Sequence, residues 1–157
     1  MLKPAIFTDR DGTLNRDCPY CHNVEDLVIY PDAVDVLREY QGKGFLVVMI
    51  TNQSGINRGY FTEREFTEFN HALKLSLEDR GVRIDAIYFC PHRPDENCDC
   101  RKPKTALIER AVNDLNIDLE RSVILGDRDD IEGELARKLG IKPIILKRGE
   151  VPEFHGR

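Results

Sequence analysis

Short runs that are apolar throughout, alternating with longer amphipathic stretches, constrain this chain more than any other feature. A strand that is apolar on both faces is stable only when helices cover both sides of it. Residues 5–8, 45–50, 86–89, 123–125 and 143–146 read as five such strands. Between them, residues 32–43 read as a helix capped by Asp32, and residues 62–80 as a helix opened by Thr62 and Glu65 at capping-box spacing. Phe66, Phe69, Leu73 and Leu77 form the buried stripe of that second helix. Two further helices are expected at about 105–116 and 131–139, the latter stopped by Gly140. The alternation predicts βα units around a parallel sheet, an α/β fold of the Rossmann-like, doubly wound kind. Residues 15–30 and 91–103 stand outside it and hold every cysteine except Cys90.

A length of 157 residues suits one domain spanning 1–157, without a second large substrate domain. The net charge of -5 supplies no broad basic field, so neither nucleic acid nor an acidic membrane is expected as a partner, and an anion must be held locally. No apolar run is long enough to span a bilayer, and Met1-Leu2-Lys3-Pro4 lacks the apolar core of a signal peptide, so the chain is expected to be cytoplasmic, and a monomer is the working expectation. Five cysteines in tight local groups suit metal ligation in a reducing compartment better than a disulfide framework.

The first strand runs directly into Asp9-Arg10-Asp11-Gly12-Thr13. Residues two apart in extended chain point the same way, and ligands of open α/β sheets sit at the carboxyl ends of strands, so Asp9 and Asp11 should share a crevice. Gly12 permits a tight turn behind them. The pair could instead be a solvated acidic turn. A calcium loop is a poorer fit, because the later acidic positions and terminal Glu of an EF-hand are missing.

Asp9-Arg10-Asp11-Gly12-Thr13-Leu14-Asn15 resembles the first motif of the haloacid dehalogenase superfamily, in which the first Asp is the nucleophile and the second the general acid and base. The resemblance continues in order along the chain. Thr51, followed by Asn52, ends the next core strand where that family places a phosphate-binding hydroxyl; Lys102 takes the place of its charge-balancing lysine; and Asp127, after Val123-Ile124-Leu125-Gly126, takes the place of its late acidic ligand. The resemblance implies a phosphatase of small phosphorylated metabolites, forming a phospho-aspartate on Asp9. Mg²⁺ would be held by the Asp9 carboxylate, the Asp11 backbone carbonyl and Asp127. The chemistry is coherent: phosphoryl transfer needs a nucleophile, a metal between like charges, donors on the equatorial oxygens and a proton donor for the leaving alkoxide.

Cys90, His92, Cys98 and Cys100 have the spacing C-x-H-x5-C-x-C, a Cys₃His complement for structural Zn²⁺ with no open coordination position. This loop, the Arg101-Lys102-Pro103 after it, and Asn52 to Thr62 are similar to the branch of the superfamily that contains heptose bisphosphate and histidinol-phosphate phosphatases, which lack a large cap domain. That likeness implies a sugar bisphosphate substrate, with histidinol phosphate as the alternative and a polynucleotide 3′-phosphate less favoured. Arg101 and Arg58 are candidates for a second anionic group. A receiver-like phospho-acceptor module is the competing class, but its phosphorylated Asp follows a middle strand, where this chain has Thr51 and Cys90.

Three departures stand out. Pro-Gly-Met does not follow Lys102-Pro103; the acidic cluster is short by one residue, which leaves Asp129 and Asp130 without assigned roles; and Cys18-Pro19-Tyr20-Cys21-His22 reads as a loop insertion near the mouth of the site with no catalytic role. A redox pair or a second metal site is the other reading of that string. His71, within a helix, and His155, in a polar tail, are expected to be structural or solvated.

Overall fold

The computed structural model describes residues 2–148. Five strands, β1 (Ala5–Thr8), β2 (Leu46–Asn52), β3 (Ala86–Cys90), β4 (Val123–Gly126) and β5 (Lys142–Ile145), form one parallel sheet in the order β3-β2-β1-β4-β5. The helices are α1 (Pro31–Gly42), α2 (Glu63–Glu78), α3 (Ala106–Leu115) and α4 (Glu134–Leu139). The chain winds outward from β1 through β2 to β3, then returns to the other side of β1 for β4 and β5. The switch in direction falls between β1 and β4, and the crevice outside their carboxyl ends is where open α/β sheets bind ligands.

The pleat of each strand sorts its residues to two cores. Ile6, Val47, Met49, Val123 and Leu125 pack with Ala33, Leu37, Leu73 and Leu77 of α1 and α2 on one face; Ala5, Phe7, Val48, Ile50 and Ile124 pack with Leu107, Ile108, Ala111 and Leu135 of α3 and α4 on the other. Both faces are therefore covered, which is why the central strands carry no polar alternation.

All five expected strands are present, β1 with the expected ends and the other four with ends shifted by one or two residues. β2 runs on through Thr51 and Asn52, which pair with Phe89 and Cys90 of β3. The ladder thereby carries two polar residues to the carboxyl end of the sheet, with Thr51 at the strand end as expected and Asn52 one residue beyond it. The first helix starts a residue early: Pro31 fits its first turn, and Tyr30 rather than Asp32 is the cap residue. Asp32 instead accepts from the Ala33 amide at 2.8 Å within that turn. Thr62 and Glu65 form the expected reciprocal capping box. The fourth helix is preceded by a wide turn of π type, Asp129–Gly133. Gly140 ends it with φ of 69°.

Residues 9–30, 53–62 and 91–105 rim the carboxyl edge of the sheet as loops, and no large cap domain lies among the described residues. No helix among them is long and apolar enough to cross a membrane. His155 lies outside the described residues.

Candidate active site

Asp9 and Asp11 leave the end of β1 at the switch point, 8% and 4% exposed. Thr51, Asn52 and Lys102 join them as lining of one pocket, together with Arg128, Ile131 and Glu132. Lys102 reaches this point because its segment is pinned to β2: its amide donates to Asn52 Oδ1 at 2.9 Å, and its carbonyl accepts from Asn52 Nδ2 at 3.2 Å. Its ammonium, almost fully buried, donates to Asp9 Oδ1 at 2.9 Å and to Glu132 Oε2 at 3.0 Å. Burial opposes the charge on Lys102, but the two carboxylates outweigh it and hold its pKa above the usual lysine value.

Asp9, Asp127 and Glu132 can bring one carboxylate oxygen each within 4.8 Å of the others. Thr13 Oγ1 donates to Asp127 Oδ1 at 3.1 Å, which orients that carboxylate across the nucleophile loop. Burial, with the Asp9 carboxylate nearby, pushes Glu132 up to about 7 against the pull of Lys102. Glu132 Oε1 is buried with no hydrogen-bond partner. Three carboxylates face one ammonium, one of their oxygens lacks a hydrogen-bond donor, and every donor atom is a hard oxygen, so the set fits Mg²⁺.

Asp11 has a different setting. Arg10, fully buried, grips it from Nε to Oδ1 and from Nη2 to Oδ2, both at 3.0 Å. Asn15 Nδ2 and Gln53 Nε2 each add a donor at 3.0 Å. Burial alone would raise the Asp11 carboxyl, but the Arg10 charge and these hydrogen bonds prevail and hold it below its ordinary value. Arg10 also donates to Asn70 of α2 at 3.0 Å and to the Cys21 carbonyl at 2.9 Å, and lies over the ring of Phe69 at 4.5 Å.

Two of the residues expected at the site stand back from this pocket. Arg58 donates to Ser54 Oγ at 3.1 Å. Arg101 is half-buried, and burial, together with the nearby charges of Arg58 and Arg128, lowers its pKa despite the opposing pull of Cys90 and Cys98. The charges of Arg58 and Arg128 thus reach Arg101, and Arg128 itself lines the pocket. Asp129 and Asp130 are exposed and do not line the pocket; Asp129 pairs with Arg137, and Asp130 with the pocket-lining Arg128. His71 lies on α2 beside a separate surface hollow with Phe66 and Phe89.

The four residues of the cysteine loop converge. Cys90 Sγ lies 3.3 Å from His92 Nδ1, 3.5 Å from Cys98 Sγ and 2.8 Å from Cys100 Sγ, and His92 Nδ1 lies 3.2 Å from Cys100 Sγ. The four ligand atoms fall within 4.8 Å of one another. Three soft thiols and an imidazole packed this closely fit a closed tetrahedral Zn²⁺ site. Lys104, two residues past Lys102, donates to the Cys98 carbonyl and ties the loop to the catalytic segment.

Sequence reasoning missed Glu132 and Arg10, and it favoured metal ligation in a reducing compartment over disulfides, with a redox pair at Cys18 and Cys21 as one alternative. In the structure Cys18 and Cys21 form a disulfide, while Cys90, Cys98 and Cys100 are thiols. The close spacing of Cys18 and Cys21 was the available signal, and it was weighed there against metal binding and a plain insertion.

A doubly wound parallel sheet with a lysine-paired aspartate at its switch point defines a hydrolase of the haloacid dehalogenase kind. A family model described as HAD-hyrolase-like matches residues 99–153. A relative from Thermoplasma acidophilum, named a probable D-glycero-D-manno-heptose-1,7-bisphosphate 7-phosphatase, is 56% identical over 87% of this chain and 86% of its own length. The Escherichia coli D-glycero-beta-D-manno-heptose-1,7-bisphosphate 7-phosphatase is 40% identical over 90% of this chain and 78% of its own length. A crystal structure of the D,D-heptose bisphosphate phosphatase from B. bronchiseptica, complexed with magnesium and phosphate, superposes with a TM-score of 0.81 at 28% identity over 90% of this chain and 79% of that one. The chain therefore belongs to the heptose bisphosphate phosphatase family of the haloacid dehalogenase superfamily, and it is a phosphatase.

Proposed function

We propose that this chain, as a single domain, hydrolyses the phosphomonoester of a sugar bisphosphate such as D-glycero-D-manno-heptose 1,7-bisphosphate through a phospho-aspartate on Asp9. The observation that carries the reading is the buried Lys102–Asp9 pair, 2.9 Å long, beside two further carboxylates in the switch-point crevice. The names of the relatives supply the substrate class.

In this reading Asp9 attacks phosphorus in line, and Thr51 and Asn52 donate to the equatorial oxygens. Lys102 offsets the charge gathered on nucleophile and phosphate. Mg²⁺ bound by the Asp9 carboxylate, the Asp11 carbonyl and Asp127, with Glu132 as a further carboxylate, would neutralise the repulsion between carboxylate and phosphate. Asp11 protonates the departing alkoxide and later takes a proton from the hydrolytic water. Its grip by Arg10 keeps the carboxylate ionised, which suits the second task. For the first, the side chain must leave that grip and carry a proton. The Arg58 and Arg128 charges felt at Arg101, with Arg128 lining the pocket, support a second phosphate on the substrate. Zn²⁺ on Cys90, His92, Cys98 and Cys100 would hold the loop that presents Arg101 and Lys102.

The test is phosphate release from heptose bisphosphates, other sugar phosphates and histidinol phosphate, with Mg²⁺ and with EDTA. A heptose bisphosphate favoured roughly a hundredfold in kcat/KM, a gap of a few kcal/mol, is the expected result. A preference for histidinol phosphate would overturn the substrate assignment, and turnover by Asp9→Asn would overturn the intermediate.

A further inference from the structure

The Cys18–Cys21 pair takes no part in the site as described, yet it lies between two parts of it. Cys21 is 2% exposed, and its carbonyl accepts from Arg10 Nη2 at 2.9 Å; the same nitrogen donates to Asp11 Oδ2 at 3.0 Å. Between the two cysteines, Tyr20 occupies the left-handed region with φ of 52°, a conformation rare for a residue with a bulky side chain. Its ring packs on Tyr60, centroids 4.6 Å apart, and Arg58 lies 6.0 Å from its centre. Its carbonyl faces His22 Nδ1 at 2.8 Å, and the His22 ring stacks on Phe61 at 5.2 Å. One short covalent ring thus holds Tyr20 against the loop of Tyr60 and Phe61 on one side and the Cys21 carbonyl against Arg10 on the other.

The two sulfurs differ in access. Cys18 is partly exposed, whereas Cys21 is buried. Approach from solvent is therefore easier at Cys18 than at Cys21, an asymmetry that would direct thiol–disulfide exchange to Cys18. Cys90, Cys98 and Cys100 form a separate group around His92.

We propose that Cys18 and Cys21 are a thiol–disulfide exchange site for a dithiol reductant, and that the oxidised form presets both the mouth at Tyr20 and the Arg10–Asp11 pair. A reductant thiolate attacks Cys18 Sγ, the bond to Cys21 Sγ breaks, and Cys21 leaves as a thiolate that takes up a proton. The reductant's second thiolate attacks its own sulfur in the mixed disulfide and releases Cys18, which is also protonated. The protein gains a pair of electrons and a pair of protons, and the dithiol becomes its disulfide. Once the sulfurs part, the ring no longer holds Tyr20 left-handed, and the Cys21 carbonyl loses its fixed place beside Arg10.

The effect on turnover rests on the phosphatase reading; the exchange site itself does not. Alkylation and peptide mapping of the full-length protein should find Cys18 and Cys21 linked before dithiothreitol and both labelled after it. Free Cys18 and Cys21 in air-handled protein would overturn the site. Reduction should lower kcat/KM for a phosphate ester roughly fivefold, the scale of one lost hydrogen bond. Reoxidation should restore it, and the Cys18→Ser, Cys21→Ser double variant should sit at the reduced level and ignore the reductant. An equal loss in wild type and double variant would place the effect in the other thiols and overturn the coupling. The Arg10 Nε–H resonance reads the coupling without turnover: a shift on reduction supports it, and an unmoved signal overturns it. A protein with no turnover in either redox state would sink the phosphatase function alone.

Discussion

Lys102 and Glu132 form an ion pair of 3.0 Å with both side chains almost wholly buried, and the same ammonium holds Asp9 at 2.9 Å. A pair this deep is costly to break from one side, because it leaves an uncompensated buried charge. Glu132→Gln removes the charge and keeps the shape. Since Lys102 retains Asp9, the fold should survive, and the loss should appear as roughly a ten- to hundredfold rise in the Mg²⁺ concentration needed for half activity. An unchanged Mg²⁺ dependence would exclude Glu132 as a ligand.

Gly126 ends β4 directly beneath that glutamate. A methyl group added there would overlap Cβ and Cγ of Glu132, which fold back over the strand end. Gly126→Ala should displace Glu132 from Lys102 and reproduce the Mg²⁺ defect of Glu132→Gln, with a further loss of about 1–3 kcal/mol from overpacking. Urea unfolding together with Mg²⁺ titration checks both parts. A stable, fully active alanine variant would mean that the wide turn at Asp129–Gly133 can shift at no cost.

That wide turn also explains what the sequence concealed. The βα alternation was enough to place five strands, because buried parallel strands are apolar on both faces and leave a plain pattern, whereas the strand order that sets the switch point came from the structure. Asp9, Asp11, Thr51 and Lys102 were legible because each stands at a strand end or beside a distinctive loop. Glu132 was not, since an ordinary α-helical reading of residues 131–139 gives no sign that the five-residue turn swings position 132 inward, past the exposed Asp129 and Asp130. Arg10 was overlooked for the opposite reason. Alternation along an extended strand aims it away from Asp9 and Asp11, and only the turn at Gly12, with Asn70 of α2 and the Cys21 carbonyl, folds its guanidinium back onto its neighbour.

The cysteine loop should answer to metal rather than to chemistry. Purified protein is expected to carry about one zinc per chain, the complement of one Cys₃His site. Cys98→Ser should lower zinc content and thermal stability together, and reduce turnover through Lys102, whose segment is tied back to the loop by the Lys104 bond to the Cys98 carbonyl. Because Asn52 also holds Lys102 from β2, the loss should be partial rather than complete. A zinc-free wild-type protein with full activity would remove the metal from this account.

Arg148 braces the nucleophile loop from behind. It donates to the Gly12 carbonyl from Nε and the Thr13 carbonyl from Nη2, both at 2.8 Å, and to Asp32 Oδ2 from Nη1 at 2.7 Å, with its guanidinium 3.6 Å from the centre of the Tyr30 ring. Arg148→Ala leaves two loop carbonyls without their charged donor and should destabilise the fold by about 2 kcal/mol in urea unfolding at pH 7. Burial alone would raise the Asp32 carboxyl, but the hydrogen bond and charge of Arg148 hold it below its ordinary 3.8. Stability from this pair is therefore present above 3.8 and lost as pH falls through the lower folded value, so the deficit of Arg148→Ala should shrink in strong acid. The Asp32 side chain is half exposed, which limits its share: a double-mutant cycle with Asp32→Asn should give a coupling below about 1 kcal/mol. A coupling as large as the whole deficit would show that the brace acts through Asp32 and not through the Gly12 and Thr13 carbonyls.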